Sequence, residues 1–600
     1  MTTTSRKWGA GLVLLCAMIA ACGGSSDPTF SVPPPAAATT PTMTPTTSTT
    51  VPATPPAEAP TVRTTAQGKV EGVDDSARSG TWSWKGLPFA RPPVGALRWR
   101  APAEPEAWVG VRPAKQFGNP CLQNGRLYGP GANNTYDATI ATTLNTPVGS
   151  EDCLTLNIWR PASTDEKLPV LLFIHGGSNI SGYTADPVYD GANLAKKANA
   201  VIVTANYRLG VLGFLNLPQL HVGGTEGDDS GNFALLDNLA ALRYIQKNIA
   251  GFGGDASNVT VMGQSAGAIN LLALMASPMA KGLFHKAMPL SGGISLATNL
   301  PPGSLPTLNP ASTYLAQGNG LLLNLLVADG KAADLAAAAT YAAGMSPADV
   351  ADYLRAKDAR TILGIVLAKG LTGSGPIPDG TVLPTDPIAA MAAGRYLKVP
   401  TVVGVTRDEG KLFTPFLPLV GGPKPGLKID DATRFTMMQN FNPDAATTLN
   451  SADIIDPAYL PVTTPVTGYD AMTARITNAF MVPSRDNLLN TLKTQQSDLW
   501  HYQFDWAQLP PPWNEVYGAA HAFDLGFVFG NFGPSLFSNA SFSAANRPGR
   551  EALSNAMMGS IAAFMRSGDP NSAALGTTWT PWPSRLLLDA TPGAASISTQ

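Results

Sequence analysis

Two segments of strand length, each ending in a glycine-rich turn, constrain this chain more than any other feature. Leu168–Ile174 stops at His175-Gly176-Gly177. Asn258–Met262 stops at Gly263-Gln264-Ser265-Ala266-Gly267, after which Ala266–Met275 reads as a helix. The Leu168–Ile174 run is unbroken and has no polar face, so it predicts a strand covered on both sides, as in a parallel sheet. Val201–Asn206, Thr401–Val405 and Leu499–Phe504 are further strand candidates. Between them, Leu235, Leu239, Leu242, Ile245 and Ile249 recur at helical spacing, and Phe252-Gly253-Gly254-Asp255 ends that helix. Strands alternating with helices predict an α/β fold with a mostly parallel central sheet flanked by helices. Residues 296–370 are rich in Ala, Leu and Pro and carry little strand signal. They are expected to form a helical insertion over the sheet.

Composition excludes several classes of function. Charged residues make up 14% of the 600, with a net charge of −2, against roughly 25% charged in an average domain. No basic stripe is present, and nucleic-acid binding draws most of its affinity from phosphate neutralisation, so such a partner is not expected. Histidine is scarce and no CxxC or HxxxH spacing occurs, which argues against a metal site.

The N-terminus reads as an address and a tether. Arg6 and Lys7 precede the apolar stretch Trp8–Ile19, which is too short to span a bilayer. Ile19-Ala20-Ala21-Cys22 then resembles the bacterial lipoprotein signal, in which the cysteine is lipidated after cleavage. The alternative is an ordinary secretory signal with Cys22 incidental. Residues 27–63 are nearly all Pro, Thr, Ala, Ser and Val and cannot bury enough apolar surface to fold. Pro-rich chain extends about 3.1 Å per residue, so this linker reaches roughly 100 Å. The expected division is a signal over 1–21, lipidated Cys22 and linker over 22–64, and one catalytic domain over 65–600. The expected location is outside the cytoplasm, on the periplasmic or cell-surface side of a bacterial membrane. In an exported chain the two remaining cysteines, Cys121 and Cys153, read as a disulfide rather than two free thiols.

The Gly263–Gly267 segment is a GxSxG between a strand and a helix, the setting of a nucleophilic serine on a tight turn. The helix that follows Ser265 offers backbone N–H groups to a developing oxyanion. A serine hydroxyl needs a base. Of five histidines, only His501 and His521 follow Ser265 with room for an acid between. His501 sits inside a strand pattern, Trp500–Phe504, and is expected to pack or face solvent. His521 follows Pro- and Gly-rich loop sequence and is the expected base. For the acid, Asp408 and Glu409 both stand just past the Thr401–Val405 strand. Asp379, in Pro378-Asp379-Gly380, is a third candidate, with turn formation as its plainer role. Oxyanion donors are expected from Ala266 and from His175-Gly176-Gly177-Ser178, with His175 itself a packing residue.

These residues together resemble the type-B carboxylesterase family, which includes cholinesterases and bacterial para-nitrobenzyl esterases. Phe252–Gly267 is similar to its serine signature and Glu151–Trp159 to its second signature; Leu87–Pro93 and Gly568–Asn571 also fit. The resemblance implies the α/β-hydrolase fold and hydrolysis of carboxylic esters through an acyl-enzyme, with no metal or organic cofactor. It implies Glu409 rather than Asp408 as the acid, His521 before Phe527-Val528-Phe529-Gly530 as the base, and Gly177, Ser178 and Ala266 as oxyanion donors. It also pairs Cys121 with Cys153. Two departures stand out. Ser178 replaces a glycine common in the oxyanion loop, and Gln264 replaces a common glutamate, which makes choline esters unlikely substrates. Lipase, amidase and polyester hydrolase remain open on the same residues, as does a non-catalytic binding domain, although such relatives lack the nucleophile.

Overall fold

The expected buried runs lie side by side at the centre of one eleven-stranded sheet. The strands are β1 (Val73–Asp75), β2 (Thr81–Pro88), β3 (Thr155–Pro161), β4 (Leu168–Ile174), β5 (Val201–Ala205), β6 (Gly254–Gln264), β7 (Lys286–Leu290), β8 (Thr401–Thr406), β9 (Leu499–Phe504), β10 (Leu586–Ala590) and β11 (Ala595–Thr599). Their spatial order is β11-β10-β9-β8-β7-β6-β4-β5-β3-β2-β1. Strands β5 through β10 along this order run parallel, and antiparallel pairs close both ends. The computed structural model describes residues 59–221, 223–371 and 373–600. Cys22, the signal segment and most of the linker lie outside the described residues.

The period of two within each central strand separates two cores. Leu168, Val170, Leu172 and Ile174 of β4 enter one core, and Leu171 and Phe173 enter the other. The first core is filled by α1 (Phe233–Asn248), α2 (Ala266–Ala276) and the inserted helices; the second is covered by a long C-terminal helix. Each fully buried Leu or Val contributes roughly 1.5–3 kcal/mol, so a strand buried on both faces is anchored strongly and in one register. Strand β6 begins at Gly254, four residues ahead of the expected Asn258, because its register against β4 is interrupted between Gly254 and Val259. The apolar pattern marks only the regular part.

Residues 296–370 form α3 (Ala311–Ala328), α4 (Leu335–Ala343), α5 (Pro347–Arg355) and α6 (Ala359–Ala368). After α6 the chain runs back to the loop following β4, where Ser374 Oγ donates to the Ser178 carbonyl at 3.0 Å. The C-terminal helix is α7 (Arg547–Ser567). A first strand, Val62–Thr65, pairs with Gly68–Glu71 and straddles the expected start of the folded part. Cys121 and Cys153 form a disulfide across 32 residues, a closure that contributes about 3–4 kcal/mol on the loop-entropy account.

The topology selects where a site can form. From β4 the chain goes outward to β5, then returns to place β6 on the other side of β4. In an open parallel sheet this reversal leaves a crevice at the carboxyl ends of the two strands. Gly263 lies opposite Ile174 in the β6–β4 register, so the turn at Ser265 and the loop from His175 emerge level with each other.

Candidate active site

The turn after β6 is built from glycines that have no room for a side chain. A Cβ on Gly267 would sit 2.0 Å from the Ile174 carbonyl oxygen. On Gly263 it would lie 2.2 Å from the Gly267 oxygen, and on Gly292 2.7 Å from that of Ser265. This closeness lets β6 reverse into α2 in one residue. Ser265 takes φ 57° and ψ −122°, a conformation that costs a non-glycine residue about 1–3 kcal/mol and persists only where the surroundings enforce it. Here its N–H donates to the Leu290 carbonyl at 2.8 Å, and its own carbonyl accepts from Ala268 and Ile269 as α2 begins. The hydroxyl therefore stands at the N-terminus of α2, beside the Ala266 N–H.

Beside this turn, the loop after β4 also runs through left-handed backbone: Gly177 has φ 106°, Ser178 56° and Asn179 57°. Gly176 packs so closely that a Cβ there would lie 2.9 Å from Ser265 Cβ. The Gly177 carbonyl accepts from Ile180 and Ser181. Asn179 and Asn270 exchange side-chain hydrogen bonds of 3.3 and 2.8 Å, tying the loop to α2. Among the described residues the N–H groups of Gly177 and Ser178 meet no acceptor. His175 is buried, stacks on Tyr207 with ring centroids 4.5 Å apart, and bonds the Gly176 carbonyl. Desolvation pushes its pKa down to about 4. It packs as a neutral ring.

The other wall comes from the loops after β8 and β9. Glu409 Oε2 lies 2.5 Å from His521 Nδ1, and Glu409 Oε1 accepts from the Thr406 N–H at 2.8 Å. Both side chains are buried. A carboxylate only accepts, so His521 Nδ1 carries the proton in this contact and Nε2 of the neutral ring is an acceptor. That Nε2 receives the side-chain amide of Gln264 at 3.1 Å. Phe413 covers the ring, its centroid 4.7 Å from that of His521.

Asp408 takes a different role. Its N–H donates to the Ala519 carbonyl at 2.9 Å. Its Oδ2 accepts from the Ala519 N–H, also at 2.9 Å, and from Arg407 at 2.8 Å. Burial opposes its ionisation, but the hydrogen bond and charge of Arg407 hold its carboxyl below the usual range. It fastens the strand end to the segment that presents His521. Asp379 accepts from the Val382 and Leu383 N–H groups and from Asn232, as a turn residue does. His501 lies buried on β9, bonded to the Val403 carbonyl, and desolvation lowers its pKa to about 3.

The structure thus brings Ser265, His521, Glu409, Gly177, Ser178 and Ala266 to one crevice and leaves Asp408, Asp379, His175 and His501 outside the polar contacts at its centre. Sequence reasoning missed three neighbours. The sequence shows only that Gln264 is uncharged, and Phe413 carries no signal beyond standing near Glu409. Asp524, three residues after His521, is fully buried; Tyr502 donates to its Oδ2 at 2.7 Å, while Oδ1 has no described partner. Burial raises its pKa to about 6, with the Glu409 charge adding to the rise. Among the described residues no group of three or more His, Cys, Asp or Glu is arranged to hold a metal ion.

Known proteins are similar to this chain over most of its length. Residues 58–591 match the model of the carboxylesterase family. The para-nitrobenzyl esterase of Bacillus subtilis is 31% identical over 546 residues, covering 88% of this chain and 94% of its own. The fumonisin B1 esterase of Sphingopyxis macrogoltabida is 35% identical over 480 residues, covering 80% and 76%. Among solved structures, a carboxylesterase of Geobacillus stearothermophilus superimposes with a TM-score of 0.65 at 30% identity, over 90% of this chain and 98% of its own.

Proposed function

The chain belongs to the carboxylesterase family and hydrolyses carboxylic esters, and we propose that it does so with Ser265 as nucleophile, His521 as base and Glu409 as orienting carboxylate. The observation that carries this reading is the buried 2.5 Å contact between Glu409 and His521 Nδ1. That contact fixes the tautomer whose Nε2 lone pair can take the Ser265 proton. Attack on the ester carbon yields a tetrahedral oxyanion, for which the N–H groups of Gly177, Ser178 and Ala266 are the donors; each such donor is worth about 3–4 kcal/mol in the transition state. The imidazolium then gives its proton to the leaving alcohol, and water repeats the cycle on the acyl-enzyme. Ser178 stands where the family often has glycine, so the oxyanion loop here carries a side chain that a glycine would lack. Gln264 brings no negative charge beside the nucleophile, which disfavours quaternary ammonium esters.

Replacing Ser265 by Ala should abolish turnover of short p-nitrophenyl esters while leaving the melting temperature within a few degrees of wild type. Retained turnover would remove Ser265 from the reaction. A polyester, lipid or amide substrate would use the same residues, and pocket shape rather than the triad decides among them. Relative rates across esters of graded acyl and alcohol size separate these readings.

The proposed setting is outside the cytoplasm, with Cys22 lipidated and the Pro/Thr-rich segment as tether. The Ile19-Ala20-Ala21-Cys22 pattern supports it. The Cys121–Cys153 disulfide is in keeping with an oxidising compartment. Mass spectrometry of the mature N-terminus tests it: a diacylglyceryl or triacyl adduct on Cys22 is expected, and an unmodified N-terminus at another residue would contradict it.

A further inference from the structure

The proton acceptor of the proposed triad is already occupied. His521 Nε2, the atom that must receive the Ser265 proton, accepts a hydrogen bond of 3.1 Å from the side-chain amide of Gln264. Both side chains are buried. Gln264 is also the residue immediately before the nucleophile, so its backbone is held by the same tight turn. Its Oε1 is directed at Gly176, where a Cβ would approach it to 2.6 Å. The amide therefore lies between the oxyanion loop and the imidazole.

We propose that Gln264 is a positioning residue that restrains His521 in the resting enzyme: its amide N–H holds the Nε2 lone pair and must release it to the Ser265 hydroxyl before attack. This rests on the triad reading above and adds a step to it. The exchange is balanced: one N–H···N bond is given up and one O–H···N bond forms, with no change of protonation. The same geometry penalises a charged ring. Once Nε2 carries a proton, two donors face each other, and the amide must turn away or flip its oxygen inward. Gln264 thus favours the neutral, competent base.

The other charged or titratable groups around His521 are Glu409 across the ring, Asp524 with its Tyr502 partner on the following segment, the Arg407–Asp408 pair behind Ala519, and beyond it Lys411, which pairs with Asp470. None is altered by a substitution at 264. Two variants of similar length separate the effects. Gln264→Met removes the donor, and Gln264→Glu replaces it with an acceptor for the imidazolium. The measurement is the pH profile of kcat/KM for a short p-nitrophenyl ester, normalised to sites titrated by a fluorophosphonate.

The acid limb should move to higher pH in the order wild type, Gln264→Met, Gln264→Glu, with a displacement of about 1 unit or more for the glutamate. Above the limb, Gln264→Met should be faster than wild type by about 3- to 10-fold, the worth of one neutral hydrogen bond in the resting state. An acid limb that stays in place in both fully titrated variants would overturn the proposal, leaving the amide as packing. A slower plateau in Gln264→Met would overturn it too, because the amide would then act in the transition state. Failure of wild type to take up the probe at Ser265 is a separate outcome that removes the triad reading itself.

Discussion

The two walls of the crevice are held by different means. The Ser265 wall is a backbone construction: Gly176, Gly263, Gly267 and Gly292 leave no volume for a Cβ, and the chain passes through left-handed conformations at Gly177, Ser178 and Asn179. The His521 wall is a side-chain construction: Glu409, Asp408, Gln264 and Phe413 hold the imidazole and its loop through hydrogen bonds and a ring contact. A backbone site tolerates no adjustment, because every glycine is fixed by a carbonyl or chain segment that cannot move alone. A side-chain site can be tuned one contact at a time. The first wall suits a nucleophile and oxyanion donors that must stay put, the second a base that must change protonation and partners.

If this contrast is correct, substitutions at the close-packed glycines of the first wall act on folding and those on the second act on rate. Gly267→Ala should have the largest effect. Its Cβ would meet the Ile174 oxygen at 2.0 Å, a backbone clash expected to cost more than about 4 kcal/mol. Loss of soluble folded protein is the expected result, and a normal melting temperature would break the comparison. Glu409→Gln, on the second wall, should lower kcat by about 10³- to 10⁴-fold through loss of the tautomer control, with a much smaller change in thermal stability. Collapse of the fold instead would show that this wall is not separately tunable.

The pH dependence of stability sharpens the contrast. His175, in the first wall, has a folded pKa of about 4, below its unfolded value near 6.5. The stability it allows is complete above about pH 6.5 and is lost as pH falls toward 4, by up to about 3 kcal/mol. His175→Gln should flatten the fall of melting temperature over that window, and an unchanged slope would remove His175 as its cause. Asp408→Asn should have the smallest effect. The amide oxygen can still accept from Ala519, and what is lost is the half-exposed Arg407 pair and a weaker attraction to Lys411, so about 1 kcal/mol and a few-fold in kcat/KM are expected.

Legibility in the sequence follows the same division. The central strands could be read because burial on both faces leaves mostly apolar segments, and β4 and β9 begin and end where those segments do. The GxSxG turn could be read because its glycines are required by backbone geometry. The irregular start of β6 and the four separate helices between residues 311 and 368 could not, since neither a register shift nor an Ala-rich helix boundary leaves a periodic signal. On the second wall, chain order and five histidines singled out His521, but spacing left Asp408 and Glu409 equal. They differ only in tertiary context: Asp408 meets Arg407 and Ala519, while the next side chain turns inward to His521. Only the family resemblance pointed to Glu409 in advance. The Gln264 amide and the buried Asp524 are contacts across hundreds of residues or between adjacent loops, and no local pattern encodes them.

The central claim is that the tight turn after β6 presents the reactive group of this esterase. Incubation of the purified protein with a fluorophosphonate, followed by proteolysis and mass spectrometry, addresses it most directly. One covalent adduct per chain, located on Ser265 and lost when the protein is denatured before labelling, is the predicted result. An adduct on any other residue, or none from a folded enzyme that turns over p-nitrophenyl esters, would contradict it.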